Sequence, residues 1–262
     1  MATTKNSLQT AAQADLVLLT ADMLRSPNPS QMTEGTAWWL TGLSDYLNLI
    51  PVAISLDSLG SPIDGFQQLD TRQFPKLEDA LSEVYRLACS TNLEAWHDEY
   101  WRLFDGAQAC PLNQASYVRR DKGAILGDLA GFYAAFGWKS NPANAERPDH
   151  LVTQIDFLGM LLTMCAQARN DQQEEVVKAA LADFAKTHMH DWLPSVCLQM
   201  VEATQLAYFG AVSQWIMALW IRLTLENGWP TDCLEQTIHK PNLEPDEPYE
   251  CGAPELVNIS LQ

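Results

Sequence analysis

Apolar residues recur along most of this chain at intervals of three and four, the period of a helix with one buried face. Leu8, Ala12, Leu16, Leu19 and Met23 predict an N-terminal helix that stops at the Ser-Pro-Asn-Pro-Ser turn beginning at Ser26. Trp39, Leu43 and Leu47 predict a second, ending before Pro51, and Leu77, Leu81, Val84 and Ala88 a third, just after Pro75. Leu93, Trp96, Tyr100 and Leu103 carry the next. Thr91 and Glu94 have capping-box spacing at its start, and Gly106 is placed to end it. Ile125, Leu129, Phe132 and Phe136 repeat the pattern up to Gly137. Leu151, Ile155, Leu158 and Leu162 form a strongly apolar stripe that gives way to Arg169-Asn170-Asp171, after which Val176, Ala180 and Phe184 mark another helix. Beyond the Trp192-Leu193-Pro194 turn, one long helix is expected from about Pro194 to Glu226, stopped by Asn227-Gly228 and Pro230. No segment sustains strict alternation with β-branched residues, and only Val52 to Leu56 is ambiguous. The expected fold is all-α, a helical bundle-like arrangement.

Residues 140–147 (SNPANAER) are polar and contain Pro142. They read as a hinge loop joining an N-terminal lobe of about 1–139 to a C-terminal lobe of about 148–228. The two lobes make one helical domain over 1–228. Residues 229–262 form a proline-rich tail carrying the acidic run EPDEPYE, where little regular structure is expected. Gly123, Gly127 and Gly131, four apart, are expected to permit close helix packing.

Composition narrows the class of partner. The 262 residues are 47% hydrophobic, enough for a large core, and the net charge is −17, from 16 basic and 33 acidic residues. Such a surface repels nucleic acid and anionic membrane and attracts basic partners, a cationic peptide above all. The same charge also serves solubility. None of the six cysteines forms a C-x-x-C, and Cys165 and Cys197 fall in apolar helical stretches as core residues, so a reduced, cytoplasmic compartment fits. The N-terminus lacks the form of a secretory signal. The apolar stretch from Leu206 to Ile221 is interrupted by Ser213 and Gln214 and is shorter than the ~20 residues a membrane span needs.

Three clusters carry candidate chemistry. In Glu146-Arg147-Pro148-Asp149-His150-Leu151, Pro148 suits a first helical position. The helix dipole then favours charge on Asp149 and disfavours a proton on His150. Adjacent helical residues do not face each other, so Asp149 and His150 make a poor acid–base dyad. Asp156, seven residues on, shares a face with Asp149. In the second cluster, Glu99 to Gly106, Tyr100 and Leu103 belong to the buried stripe. Trp101 and Phe104 lie on a neighbouring face, where they either widen the core or line an apolar groove for a peptide. Pro111, Ser116 and Tyr117 follow in a loop, where a tyrosine commonly buries its ring and bonds through its hydroxyl. In the third cluster, His188 and His190 are two apart and point to different helix faces, against a joint metal site. His188 is placed to cap helix carbonyls. No nucleophile motif or phosphate loop is present, so neither a catalytic site nor a cofactor is expected.

In this order the clusters resemble the TorD/DmsD/NarJ-type family of molybdoenzyme chaperones. The matching elements are E-Y-W-R-L-F-D-G at 99–106, P-L-N-Q-A-S-Y at 111–117, G-D-L-A-G-F-Y-A-A-F-G at 127–137, E-R-P-D-H-L at 146–151 and H-M-H-D-W-L-P at 188–194. The resemblance implies a cytoplasmic chaperone, monomer or homodimer. Its partners would be the twin-arginine signal peptide and the apo form of a molybdopterin oxidoreductase, whose export waits on cofactor insertion. It further implies that Trp101, Phe104, Tyr117, Asp149 and His150 belong to the peptide-binding region, with Asp156 counted among them. Tyr100, Pro111, Ser116, Pro148, Leu151, His188, Trp192 and Pro194 are its structural motif. Asp156 stands where the family often has a glutamate, and the first 90 residues match only as generic helices. Two alternatives remain open: an assembly factor gripping the mature part of a nitrate-reductase-like subunit, and an enzyme using Asp149 and His150.

Overall fold

The computed structural model describes residues 2–26, 77–106, 108–139, 146–229 and 239–243. The helix expected around Trp39–Leu47, the segment from Val52 to Leu56, Cys233, Cys251, most of the 140–147 loop and most of the tail lie outside them.

Among the described residues all regular structure is helical. In chain order the α-helices are α1 (Ala2–Met23), α2 (Leu77–Ser90), α3 (Leu93–Tyr100), α4 (Lys122–Ala135), α5 (Leu151–Ala166), α6 (Asp171–Phe184), α7 (Leu193–Ala203) and α8 (Ala207–Asn227). Single π-helical turns extend α3 over Trp101–Asp105 and α6 over Ala185–Met189. One isolated antiparallel bridge joins Asn113 to His150.

The core runs along α5 and α8, which bury residues on nearly every face. A helix apolar all round needs neighbours all round. α1 lies along α5 and also touches α8, while α2 packs on α8 and α7 beside it. Contacts of α1 with α5 and of α2 with α8 therefore join the sections on either side of the 140–147 loop. No described helix is long and apolar enough to cross a membrane.

Several expectations change. Asn92, not Thr91, caps α3: its side chain accepts from the Glu94 and Ala95 N–H groups, while the Thr91 hydroxyl bonds back to the Leu87 carbonyl. In α6 the buried stripe is Val177, Leu181 and Phe184, and Val176, one position off, is 59% exposed. In α1 Leu8 faces solvent, although Leu16, Leu19 and Met23 are buried as expected.

The single helix expected from Pro194 to Glu226 is two. Thr204 is extended (φ −71°, ψ 140°) and breaks it, because Glu99 captures the turn. The Thr204 hydroxyl donates to Glu99 Oε1 at 2.9 Å, and the Gln205 N–H donates to the same oxygen. Arg102 holds both Glu99 oxygens at 2.7 and 2.8 Å and reaches the Ala203 carbonyl at 2.6 Å. Two helix ends are thus satisfied by one half-buried ion pair.

Gly127 and Gly131 pack against nothing a Cβ would meet, so they are not contact glycines. The close approach is at Gly159 of α5, where a Cβ would lie 2.6 Å from Leu18 Cδ2. That position lets α1 lie down on α5.

Candidate functional site

The segment 146–151 is not the helix start that the sequence suggested. α5 begins at Leu151, and Pro148 and Asp149 precede it. His150 is the N-cap, its Nδ1 accepting the Val152 N–H at 3.3 Å. That role needs a neutral imidazole, and burial pushes the His150 pKa down to about 4; Asp149 opposes the shift, and Arg147 adds to it.

Asp149 is fully buried, and its carboxylate stitches two loops together. It accepts from Asn113 Nδ2 and the Ala115 N–H, both at 3.2 Å, and pairs with Arg147 Nε at 3.1 Å. Backbone bonds run beside it: Gln114 N–H to the Asp149 carbonyl at 2.9 Å and Leu151 N–H to the Leu112 carbonyl at 2.7 Å. Tyr133 anchors the same stretch by donating to the Pro148 carbonyl. Asp149 and His150 thus bond in different directions, and no acid–base dyad forms between them.

The third cluster meets this junction from the other side. His188 does not cap α6. Its π-turn carries the ring inward, with Nδ1 3.4 Å from Gln114 Oε1, which also accepts from Gln154 Nε2 at 2.8 Å. Phe132 and Phe184 flank the imidazole. Burial lowers the His188 pKa to about 4, against the pull of Asp128. The Trp192 indole donates to the His188 carbonyl at 2.6 Å and lies beside the Tyr117 ring. Pro111, Leu151, Trp192 and Pro194 are buried here, and Ser116 is half-buried at the rim. Gln114 and Gln154 join the three motifs. Sequence reasoning passed over them because an uncharged amide carries no local signal of burial.

The three candidate aromatics do not form one open groove. Tyr117 is fully enclosed, its hydroxyl 3.8 Å from Cys110 Sγ. Phe104 is 8% exposed and packs edge-on against Tyr100 and Phe209. Only Trp101 is open, at 55% exposure, its indole lying over Gly106, where a Cβ would come within 2.3 Å of Nε1. The π-turn separates their fates by turning Trp101 outward and Phe104 inward.

Two carboxylates pair with one arginine near this edge. Arg25, just past α1, donates to Asp156 Oδ2 at 2.6 Å and pairs with Asp22. Burial raises the Asp22 pKa to about 6 despite Arg25, and Asp156 is raised for the same reason. Burial also raises Tyr100, with Glu146 and Asp105 adding to the effect, and burial raises Glu146, with Asp105 adding to it. Asp22, Asp105, Glu146 and Asp156 thus share this region with Arg25. Asp156 and Asp149 do not act together, since Asp149 is already engaged by Arg147.

Among the described residues no group of three or more metal-ligating side chains comes together. Cys110, Cys165 and Cys197 are buried free thiols, and Cys89 is an exposed one.

An all-helical chain whose separated motifs close on one buried polar junction defines a class of protein. The model of the nitrate reductase delta subunit family matches residues 65–198, and the chain belongs to that family. The matched span holds all five motifs whole and both π-turns. The chain is 38% identical over 120 residues to the chlorate reductase assembly chaperone protein of Ideonella dechloratans, covering 44% of this chain and 62% of that protein. It is 34% identical, over the same length and shares, to the selenate reductase assembly chaperone protein of Thauera selenatis. The chain thus spans under two thirds of the length of these curated relatives.

Proposed function

We propose that the chain is a cytoplasmic assembly chaperone for a molybdopterin-containing reductase. In this reading it binds the twin-arginine leader of the client and releases it after cofactor insertion. It acts as a binding protein, with no catalytic step of its own. The family and the assembly roles in the names of both relatives support the class.

The observation that carries the leader reading is the region around Arg25. Asp22 and Asp156 pair with Arg25, and Asp105 and Glu146 lie near Tyr100, at the start of the turn that carries exposed Trp101. A guanidinium of the leader pairs with such carboxylates in bidentate fashion, and its apolar segment covers the indole. In this reading Trp101 and Asp156 touch the peptide. Phe104, Tyr117, Asp149 and His150 hold the surface from beneath.

Calorimetric titration with a twin-arginine leader, against a Lys-Lys control, tests the reading. Binding of the arginine form with weaker binding of the control is expected. No binding to any molybdoenzyme leader of the same genome sinks it.

The family description favours a second reading, in which the mature part of a nitrate-reductase-like catalytic subunit is gripped instead. Retained capture of a client that lacks its leader supports that reading over the first.

A further inference from the structure

Residues 239–243 lie against parts of the chain distant from them in sequence. The His239 N–H donates to the buried hydroxyl of Ser195, near the start of α7, at 3.1 Å. Lys240 Nζ lies 3.0 Å from Glu202 Oε2, near the other end of α7. The Asn242 N–H then donates to the Ser116 carbonyl at 2.8 Å. Pro241 fixes its own φ and holds Lys240 extended, so the segment is pre-shaped as a strand-like strap.

The surface beneath is made from two of the motifs that carry the family resemblance. The 114–116 turn supplies a carbonyl, and the stretch after His188-Met189-His190-Asp191-Trp192-Leu193-Pro194 supplies the serine hydroxyl. Charge is complementary: His239 and Lys240 are the basic pair of an otherwise acidic tail, and Lys240 pairs with Glu202. Burial raises the Asp191 carboxyl, while Arg120 and His239 draw it back down. Only Ser195 among these partners is deeply buried, and Lys240 and Glu202 are both exposed. Few apolar contacts and exposed polar links mark a segment that opens locally at low cost.

We propose that residues 239–243 are a displaceable internal ligand of a surface, formed by the 114–116 turn and α7, that accepts an extended basic peptide, and that a stretch of the client leader outside its twin arginines competes for it. The second half rests on the leader reading; the first does not. In cis, the strap fills the surface at the high effective concentration of a tethered ligand, on the order of millimolar. It therefore screens weak basic peptides and yields to one that also engages Trp101.

Residue-resolved hydrogen exchange on the full-length chain tests both halves. The His239 and Asn242 amides should exchange at least about tenfold faster than the interior amides of α7. A saturating leader should lower their protection by about a further tenfold. Protection equal to that of the α7 interior overturns the displaceable strap. Protection unchanged by a leader that calorimetry shows to be bound overturns the competition and spares the leader reading.

A leader that does not bind sinks the leader reading and with it the competition. The strap is then decided with a peptide of sequence 238–244 added in trans. It should bind the full-length Lys240→Glu, Asn242→Pro variant, which lacks the ion pair and the donated N–H, at least about tenfold more tightly than the wild type. No gain in a variant with wild-type circular dichroism overturns the strap.

Discussion

Glu99 shows how one residue sets the shape of several. Burial opposes its charge, but Arg102, the Gln205 N–H and the Thr204 hydroxyl outweigh that cost and hold its pKa below the usual glutamate value. A carboxyl depressed in this way stabilises the fold above its ordinary pKa, near 4.5, and loses that contribution as pH falls below it. Glu99→Gln should cost about 2–3 kcal/mol in urea unfolding at pH 7, because Arg102 is left without its charge partner.

The two depressed histidines act over a higher window. Each is neutral in the fold down to pH about 4 and protonates near 6.5 when unfolded. Their contribution is whole above pH 6.5 and drains away toward pH 4. Asp22, raised to about 6, runs the opposite way, stabilising as pH falls from 6 to 4. His188→Gln should therefore flatten the loss of stability between pH 6.5 and 4.5, and Asp22→Asn should steepen it. Denaturation curves at three pH values distinguish these outcomes.

The candidate aromatics also separate at this scale. Tyr117→Ala should cost about 3–5 kcal/mol of stability, since the ring is enclosed against Trp192. Trp101→Ala should leave unfolding within about 0.5 kcal/mol of the wild type, as exposed sites do. It should weaken leader affinity by about tenfold or more, because apolar burial outweighs an exposed ion pair. An equal loss of stability in both variants would show that Trp101 belongs to the core.

At the scale of elements, the docking of α1 on α5 depends on Gly159. Gly159→Ala gains helix propensity of about 1 kcal/mol but overpacks against Leu18 by about 1–3 kcal/mol. A net loss of about 1 kcal/mol is expected, smaller when Leu18→Ala is present. A double-mutant cycle with coupling below about 0.5 kcal/mol would contradict the contact. The periodicity foretold α2, α4 and α5 because their buried positions keep helical spacing. It erred on α6 by one position and joined α7 to α8, since residues 194–226 are apolar enough to continue. The break lies in Glu99, about a hundred residues away, and no local pattern records it.

For the whole molecule, a net charge of −17 should speed the encounter with a basic leader and make it sensitive to salt. Asp156→Asn should lower the association rate and the salt dependence more than it raises the dissociation rate, as stopped-flow kinetics at two ionic strengths would show. A change confined to dissociation would place Asp156 inside the structural pair with Arg25 and outside the peptide's path.

The sequence by itself determined the helical class, most helix positions, the acidic character and the motifs that mark the family. These are local or additive properties: spacing, cap chemistry, net charge and ordered short strings. Tertiary structure decided what each motif residue does. It buried Asp149 under Arg147, turned His150 into a cap and His188 into a core ligand of Gln114, enclosed Tyr117, and left Trp101 outside. Which of two side chains meets water, or which loop a carboxylate holds, depends on groups brought together from distant parts of the chain. That proximity is a property of the packed molecule, because only there do burial and pairing compete for the same atoms.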